Sequence, residues 1–202
     1  EVELFDIYDA FLGRLENCLD DKPLLLPGSS RHVDDSGISK RAKAIDYCLE
    51  HDDGRKIVDC NKADVIVLGV SRSGKTPLSI YLATDIGLNV VNYPLTEETL
   101  NNYKLPKEVS ENITKTVGLT SNPEILSLIR QERYPDSNYA KRSVCIQELR
   151  QAEQIYQNYK MPYFNTSQKS IEELAAHVLQ EIGIYKKTSR LKKVIPPSRR
   201  AA

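Results

Sequence analysis

Two spacings of apolar residues divide the chain into predicted strands and helices. Val65, Ile66, Val67 and Leu68 form a short run rich in β-branched residues, which is typical of a strand buried on both faces. Further strands are predicted at 89–95, 116–120 and 163–166, and helices at 3–19, 41–49, 77–83, 123–133, 143–158 and 170–183. Strands that alternate with helices predict a three-layer α/β/α fold with a mostly parallel sheet.

The segments between these elements indicate the domain organisation. We predict one globular domain, in which a helical lead-in at 1–62 precedes an α/β core at 63–183. Residues 29–39 are polar and are predicted to form a loop, and the basic residues 184–202 a disordered tail. Because the sequence begins with Glu1 rather than Met, we expect an amino-terminal part, including any targeting peptide, to precede it.

Composition and charge narrow the classes of function. The 202 residues contain 28 Lys and Arg and 28 Asp and Glu, so the net charge is zero and no overall field attracts nucleic acid. No stretch approaches the roughly 20 apolar residues that a membrane helix needs. The cysteines lack metal-ligand and Cys-x-x-Cys spacings, so we predict reduced thiols at Cys18, Cys48, Cys60 and Cys145. We expect neither nucleic acid nor membrane as a partner.

The residues after the first strand of the core match the phosphate-loop pattern of Gly, four residues, Gly, Lys and Ser or Thr. The eight residues are Gly69, Val70, Ser71, Arg72, Ser73, Gly74, Lys75 and Thr76. They lie between a predicted strand and a helix that opens near Pro77, which is the context that the pattern requires. We therefore predict a nucleotide site in a fold of the P-loop kinase type.

Each residue type in the loop suits phosphate chemistry. Gly69 and Gly74 permit a close approach of the backbone, whose N–H groups can then face a phosphate. Lys75 can reach the terminal phosphates, and the hydroxyl of Thr76 can ligate Mg²⁺. Arg72 is a second candidate for binding phosphate oxygens.

His51, Asp52 and Asp53 form the densest cluster of proton-transfer groups outside the loop. They could orient an attacking oxygen and hold Mg²⁺. The same residues also fit a turn, because Asp-Asp-Gly commonly ends a helix and His is favoured near a helix C-terminus. Arg130 and Arg133 could likewise contact phosphate, but their spacing favours a solvated helix face.

Several segments of the sequence resemble one family. The densest is Gly-Val-Ser-Arg-x-x-Lys-Thr-Pro at 69–77, preceded by the strand at 63–68 and by His-Asp-Asp-Gly at 51–54. Matching segments follow at 91–95, 117–120, 129–133, 139–140 and 169–173. Over roughly residues 4–183, the chain resembles the family of pyruvate, phosphate dikinase regulatory proteins and phosphoenolpyruvate synthase regulatory proteins.

The resemblance implies a bifunctional enzyme. Members use ADP to phosphorylate a threonine beside the catalytic histidine of the dikinase or synthase, and remove that phosphate with inorganic phosphate, forming pyrophosphate. Carried over to this chain, residues 69–76 bind ADP, Thr76 binds Mg²⁺, and His51, Asp52, Asp53 and Lys75 are catalytic candidates. Asp52 or Asp53 would activate the target threonine or orient phosphate, and Lys75 would neutralise charge on the transferred group.

The partner implied is the dikinase or the synthase as protein substrate, and the chain could form a homodimer. We expect the chloroplast stroma as its location, with the bacterial cytoplasm as the alternative. Two other functions remain open: a P-loop kinase that transfers phosphate from ATP to a small metabolite, and a nucleotide-binding regulatory module without catalysis.

Overall fold

Four parallel strands form the sheet around which the chain folds. In a computed structural model, which describes residues 18, 35–52 and 57–183, the strands are β1 (Val65–Gly69), β2 (Val90–Pro94), β3 (Thr116–Thr120) and β4 (Tyr163–Asn165). Their order in the sheet is β2-β1-β3-β4. The strand that comes first in the chain therefore lies between its two successors, and the chain reverses direction across the sheet at β1.

Seven α-helices lie within the described part of the chain. They are α1 (Asp35–Glu50), α2 (Lys75–Tyr81), α3 (Glu97–Asn102), α4 (Lys107–Ser110), α5 (Pro123–Arg133), α6 (Arg142–Asn158) and α7 (Ile171–Glu181). Short 3₁₀ segments occupy Ile57–Lys62, Ile113–Lys115 and Asn138–Ala140, and a π-helical segment at Leu82–Ile86 continues α2. By its internal contacts the chain divides into residues 1–36 and 37–202, and the sheet belongs to the second unit.

Polar side chains at the helix ends explain where several helices begin. Asn122 accepts hydrogen bonds from the first N–H groups of α5, and Pro123 follows it at a position where no N–H is needed. Ser170 and Glu173 form a reciprocal capping box at the start of α7, where the sequence predicted a helix from residue 170. These caps satisfy N–H groups that the helices themselves leave without an acceptor.

Side chains that alternate along β1 pack on opposite faces of the sheet. Val65 and Val67 contact α1, α2 and α7 through a cluster that includes Ala44, Leu78 and Leu174. On the other face, Ile66 and Leu68 share a second cluster, with members Leu100, Leu126, Cys145, Leu149 and Tyr156 from α3, α5 and α6. Helices thus cover both faces, and the predicted three-layer α/β/α fold is confirmed.

One loop prediction was wrong at its carboxyl end. Residues 29–39 were expected to form a loop, but α1 already begins at Asp35. The pattern misled because Ser39, Lys40 and Arg41 lie on exposed turns of this helix, where polar residues cost nothing. Among the side chains from Ser39 onward, which the structure describes, the first buried one in α1 is that of Ala44.

The remaining predictions concern the two ends of the chain, its domain boundaries, its cysteines and membrane-spanning helices. The helix predicted at 3–19 and the tail at 184–202 lie outside the described residues, and the domain boundaries stay a prediction. All four cysteines are unpaired, as predicted. Within the described part of the chain, no helix combines the length and apolar character that crossing a lipid bilayer requires.

Gly118 in β3 gives a direct test of the packing between the sheet and α6. A Cβ at this position would lie 2.7–2.8 Å from ring atoms of Tyr156, a side chain that is fully buried. We expect Gly118→Ala to lower the free energy of unfolding by about 1–3 kcal/mol, because neither the strand nor the ring has room to move. Urea denaturation measures this change.

Two double variants serve as controls for Gly118→Ala, one that removes the aromatic ring of Tyr156 and one that keeps it. Adding Tyr156→Leu to Gly118→Ala should recover part of the loss, whereas adding Tyr156→Phe should not, because Phe retains the clashing atoms. Equal stability of Gly118→Ala and the parent chain would contradict this description of the core.

Candidate active site

The phosphate loop begins where β1 ends. Gly69 is the last residue of β1, and α2 starts at Lys75, so strand, loop and helix follow one another as the sequence predicted. β1 has β2 on one side and β3 on the other, and both are parallel to it. The loop therefore lies at the carboxyl edge of the sheet where the strand order reverses, which is the usual ligand position in open α/β folds.

The backbone of the loop has the geometry of an anion site. Arg72 has φ of 69° and Gly74 has φ of 92°, both in the left-handed region. Left-handed residues that alternate with right-handed ones turn successive N–H groups toward a common centre. The first N–H groups of α2 face the same way, because they have no acceptor within the helix.

Lys75 is buried within this loop. Its ammonium donates a hydrogen bond to the carbonyl oxygen of Val70 at 3.0 Å, so the side chain folds back across the loop. The ammonium is thereby held at the centre of a strongly polar backbone, in position to meet an incoming phosphate. By contrast, the side chain of Arg72 is exposed. Its role in binding phosphate oxygens stays a prediction.

Asp52, Thr76 and Asn92 come together beside the loop from three separate elements. The hydroxyl of Thr76 donates to Oδ1 of Asp52 at 3.3 Å. Nδ2 of Asn92 donates to the Thr76 hydroxyl at 2.9 Å and also to Oδ1 of Asp52. The backbone N–H of Asn92 further donates to the carbonyl of His51 at 3.2 Å, which fixes the residue before Asp52 against β2.

Asn92 was not among the residues predicted from the sequence. It is fully buried in β2, among Val90, Val91 and Tyr93. A buried amide costs free energy unless it has partners. An Asn in an otherwise apolar strand was therefore the signal that could have identified it.

The geometry around His51 fixes the proton on its ring. Nδ1 lies 2.7 Å from the carbonyl oxygen of Tyr47, and because a carbonyl only accepts, Nδ1 carries the proton in the neutral ring. The ring also stacks on Tyr47, with centroids 4.0 Å apart. Nε2 then holds a lone pair, and this buried atom has no hydrogen-bond partner among the described residues. The third predicted member of this cluster, Asp53, lies outside the described residues.

Cys48 lies near the same cluster but is unsuited to act as a nucleophile. Burial, with the Asp52 carboxylate as a second cause, raises the pKa of the Cys48 thiol to about 11. The thiol is therefore protonated at neutral pH, and only a thiolate is strongly nucleophilic.

Buried polar atoms without partners concentrate at this edge of the sheet. Four such side-chain atoms occur in the described part of the chain, and three belong to His51, Ser73 and Asn92. Native proteins rarely leave such atoms unsatisfied, and active sites are a common exception. The residues of the loop and its neighbours are thus arranged around polar groups that a ligand can satisfy.

Arg130 of α5 holds the loop from behind and corrects a sequence prediction. It was expected on a solvated face, but it is fully buried and donates from Nη2 to the Ser71 carbonyl at 3.1 Å and to Glu148 of α6 at 2.5 Å. Its guanidinium also stacks on Tyr139, whose hydroxyl donates to Oγ of Ser71 at 2.7 Å. The three-residue spacing of Arg130 and Arg133 was misleading, because an arginine can be buried when a residue distant in sequence supplies its partner. Arg133 is exposed, as predicted.

A cavity of about 750 Å³ opens next to the loop at the end of β2. Tyr93, Thr96, Lys104 and Leu105 are among the residues that line it. The cavity lies near the start of the loop, because the lining residue Tyr93 pairs with Leu68 of β1, one residue before Gly69.

The fold and this site define a three-layer α/β/α protein whose glycine-containing loop joins a central strand to a helix and holds a buried lysine. The model of one protein family, described as kinase/pyrophosphorylase, matches residues 1–179. The chain belongs to this family, which agrees with the resemblance and, at the level of the family, confirms the predicted function of a bifunctional regulatory enzyme.

Relatives in three bacteria carry the provisional name phosphoenolpyruvate synthase regulatory protein. Those of Desulfotalea psychrophila and Laribacter hongkongensis are 43% identical over 182 residues, which are 90% of this chain and 67% and 66% of the relatives. That of Acinetobacter baylyi is 43% identical over 180 residues, covering 89% of this chain and 65% of the relative. The chain thus spans about two thirds of the length of these relatives.

Replacing Arg130 tests whether the loop depends on this buried cation. We expect Arg130→Met to lower the free energy of unfolding by about 3 kcal/mol, because it leaves Glu148 and the Ser71 carbonyl without their partner. We also expect nucleotide affinity to fall about tenfold, since the loop loses its support. Urea denaturation and calorimetric titration with ADP measure the two effects.

Arg133→Met is the matched control, because it removes the same charge from an exposed position of the same helix. Its stability should stay within about 0.5 kcal/mol of the parent chain. If the two variants behaved alike, Arg130 would have no special role in the loop.

Proposed function

We propose that the chain is the catalytic part of a regulatory phosphotransferase that uses ADP to phosphorylate a threonine of a partner enzyme. The β-phosphoryl group passes to the threonine hydroxyl, AMP leaves, and the hydroxyl proton goes to a base in the segment that contains His51 and Asp52. In the second reaction, an oxygen of inorganic phosphate attacks the phosphothreonine phosphorus. Pyrophosphate forms, and the threonine oxygen takes up a proton.

The observation that carries this proposal is the buried Lys75 in a loop whose backbone is left-handed at two residues. The cluster of Asp52, Thr76 and Asn92 lies directly beside it. A phosphoryl transfer enzyme needs a cation and N–H groups around the transferred group, and carboxylate or hydroxyl oxygens for Mg²⁺. These groups lie together at one edge of the sheet. The family description, which joins a kinase with a pyrophosphorylase, supports both directions of transfer.

The residues have distinct proposed roles. Residues 69–76 bind the phosphates of ADP, and Lys75 neutralises charge that develops on the transferred group. Thr76 would hold Mg²⁺, which would supply positive charge that stabilises the phosphates. His51 can accept a proton at Nε2, and Asp52 or Asp53 can serve as the base or orient the attacking phosphate.

A macromolecular acceptor agrees with the surroundings of the loop. The cavity at the end of β2 is lined by Tyr93, which pairs with Leu68 of β1 next to the start of the loop, so an extended segment of a partner bound there could place a hydroxyl near the loop. The names of the bacterial relatives support phosphoenolpyruvate synthase as the target enzyme. Pyruvate, phosphate dikinase stays a second candidate target.

The source of the relatives bears on where the protein acts. All three relatives come from bacteria, which favours the bacterial cytoplasm, the alternative in the sequence prediction. The chloroplast stroma and the homodimer stay predictions.

Transfer of labelled phosphate distinguishes the proposal from its alternatives. Purified synthase and dikinase would each be incubated with the chain and with ADP labelled at the β-phosphate, or with ATP labelled at the γ-phosphate. We expect label on a target threonine from ADP and its loss, by about a hundredfold or more, in Lys75→Ala. Peptide mapping identifies the labelled residue.

Lys107→Ala is the control, because this lysine is exposed on α4 and, among the described residues, forms a salt bridge only with Glu111, which follows that helix. It should transfer label at the parental rate. Transfer from ATP alone, or no transfer from ADP while a full-length bacterial relative is active in the same assay, would overturn the proposal.

A further inference from the structure

The side-chain amide of Asn92 lies between two oxygens that suit a metal ion. Its Nδ2 donates both to the hydroxyl of Thr76 and to Oδ1 of Asp52, while the hydroxyl itself donates to the same carboxylate oxygen. The other end of the amide, Oδ1, is buried and has no hydrogen-bond partner among the described residues. The amide thus presents its positive end to the oxygens and leaves its own oxygen unused.

The spacing of these atoms fits the coordination of a small divalent cation. In an octahedron with bonds of about 2.0–2.1 Å, as Mg²⁺ requires, neighbouring ligand atoms lie about 2.9–3.0 Å apart. Oγ1 of Thr76 is 2.9 Å from Nδ2 of Asn92 and 3.3 Å from Oδ1 of Asp52. Two of the three edges therefore approximate those of such an octahedron, while the third, between Nδ2 of Asn92 and Oδ1 of Asp52, is shorter. One of the three atoms is also a nitrogen, which cannot ligate as an amide N–H₂.

A half-turn of the amide removes this obstacle. Rotation about the Cβ–Cγ bond exchanges Nδ2 and Oδ1 within nearly the same volume, which a tightly packed strand can accommodate. The face then consists of a carboxylate, a hydroxyl and an amide oxygen, which are ligands that Mg²⁺ prefers. The rotation brings Oδ1 to the cation, and it moves Nδ2 to the buried position that Oδ1 leaves, so cation binding has to offset the two hydrogen bonds that Nδ2 loses.

We propose that Asp52, Thr76 and Asn92 together form a site for a divalent cation, in which the N–H₂ group of Asn92 satisfies the oxygens of the other two residues until the amide rotates and its own oxygen becomes a ligand. Asp52 is the only charged member of the three, so the site binds the cation weakly until nucleotide phosphates supply further oxygens. The inference deepens the proposed function, because the cation would lie beside the phosphate loop. The new element is Asn92, because the sequence prediction already offered Thr76 and the Asp52–Asp53 segment to the metal and gave Asn92 no role.

This site also distinguishes two roles that the sequence prediction left open for the Asp52–Asp53 segment, that of metal ligand and that of base. As a ligand, Asp52 holds its carboxylate on the cation and does not take the proton of the acceptor. The proton then passes to Nε2 of His51 or to Asp53.

Binding of Mn²⁺ to the full chain tests the site without any phosphoryl transfer. The signal of free Mn²⁺ in electron paramagnetic resonance would be followed during titration, with and without ADP. We expect Asn92→Asp to bind Mn²⁺ about tenfold more tightly than the parent chain without nucleotide, since it adds a charged oxygen ligand. In the presence of ADP, Asn92→Leu should bind Mn²⁺ about tenfold more weakly than the parent, since it removes the ligand.

Asn158→Asp is the matched control, because it adds the same charge at the carboxyl end of α6 on an exposed residue. It should leave Mn²⁺ affinity unchanged. Should Asn92→Leu fail to fold, Asn92→Asp still decides the matter through its melting temperature: Mg²⁺ should raise it by more than it raises that of the parent.

Parental Mn²⁺ affinity in both Asn92 variants would overturn the inference and leave Asn92 a structural bridge between β2 and α2. The outcome is distinct from the fate of the proposed function. Mn²⁺ binding that follows the prediction, with no transfer from ADP, would refute the transfer reaction and keep the cation site. Transfer from ADP with unaltered Mn²⁺ binding in the variants would refute the cation site and keep the transfer reaction.

Discussion

The burial of β1 on both faces and both edges is the constraint on which the site depends. β1 is hydrogen-bonded to β2 and to β3, and its four apolar residues are fully buried. Gly69 ends the strand under equally tight conditions, because a Cβ there would lie 2.4 Å from Oγ of Ser73. The loop therefore starts from a fixed direction at the carboxyl edge of the sheet.

The loop is held from two sides by side chains that come from distant parts of the chain. Arg130 fixes the Ser71 carbonyl on one side, while on the other Asp52 and Asn92 contact Thr76 at the start of α2. A carbonyl that turned inward would oppose an anion, so a buried cation that holds the Ser71 carbonyl keeps the loop suited to phosphate. On the side of α5 the loop is fixed by the hydrogen bonds of the buried Arg130. On the other side, the proposed rotation of the Asn92 amide would change its contacts with Thr76 and Asp52.

Local patterns in the sequence predicted most of the fold. The β-branched run of β1, the Asn-Pro start of α5 and the Ser–Glu capping box of α7 depend on neighbouring residues alone, and each appears where predicted. The phosphate loop was predictable for the same reason. Asn92 and Arg130 were not, because their partners are 40 and 59 residues away in sequence, and such contacts depend on strand order and helix packing. Polar residues on the first turns of α1 hid a helix, since solvent imposes no pattern there.

Comparing the affinities of ADP and AMP tests most directly the claim that residues 69–76 bind the phosphates of a nucleotide. The two nucleotides differ only in the β-phosphate, so calorimetric titration of the full chain isolates the contribution of the loop and Lys75. We expect ADP to bind at least about tenfold more tightly than AMP, because charge-assisted hydrogen bonds hold the added phosphate, and we expect Lys75→Ala to remove most of that difference. Equal affinity for ADP and AMP in the parent chain would contradict the account.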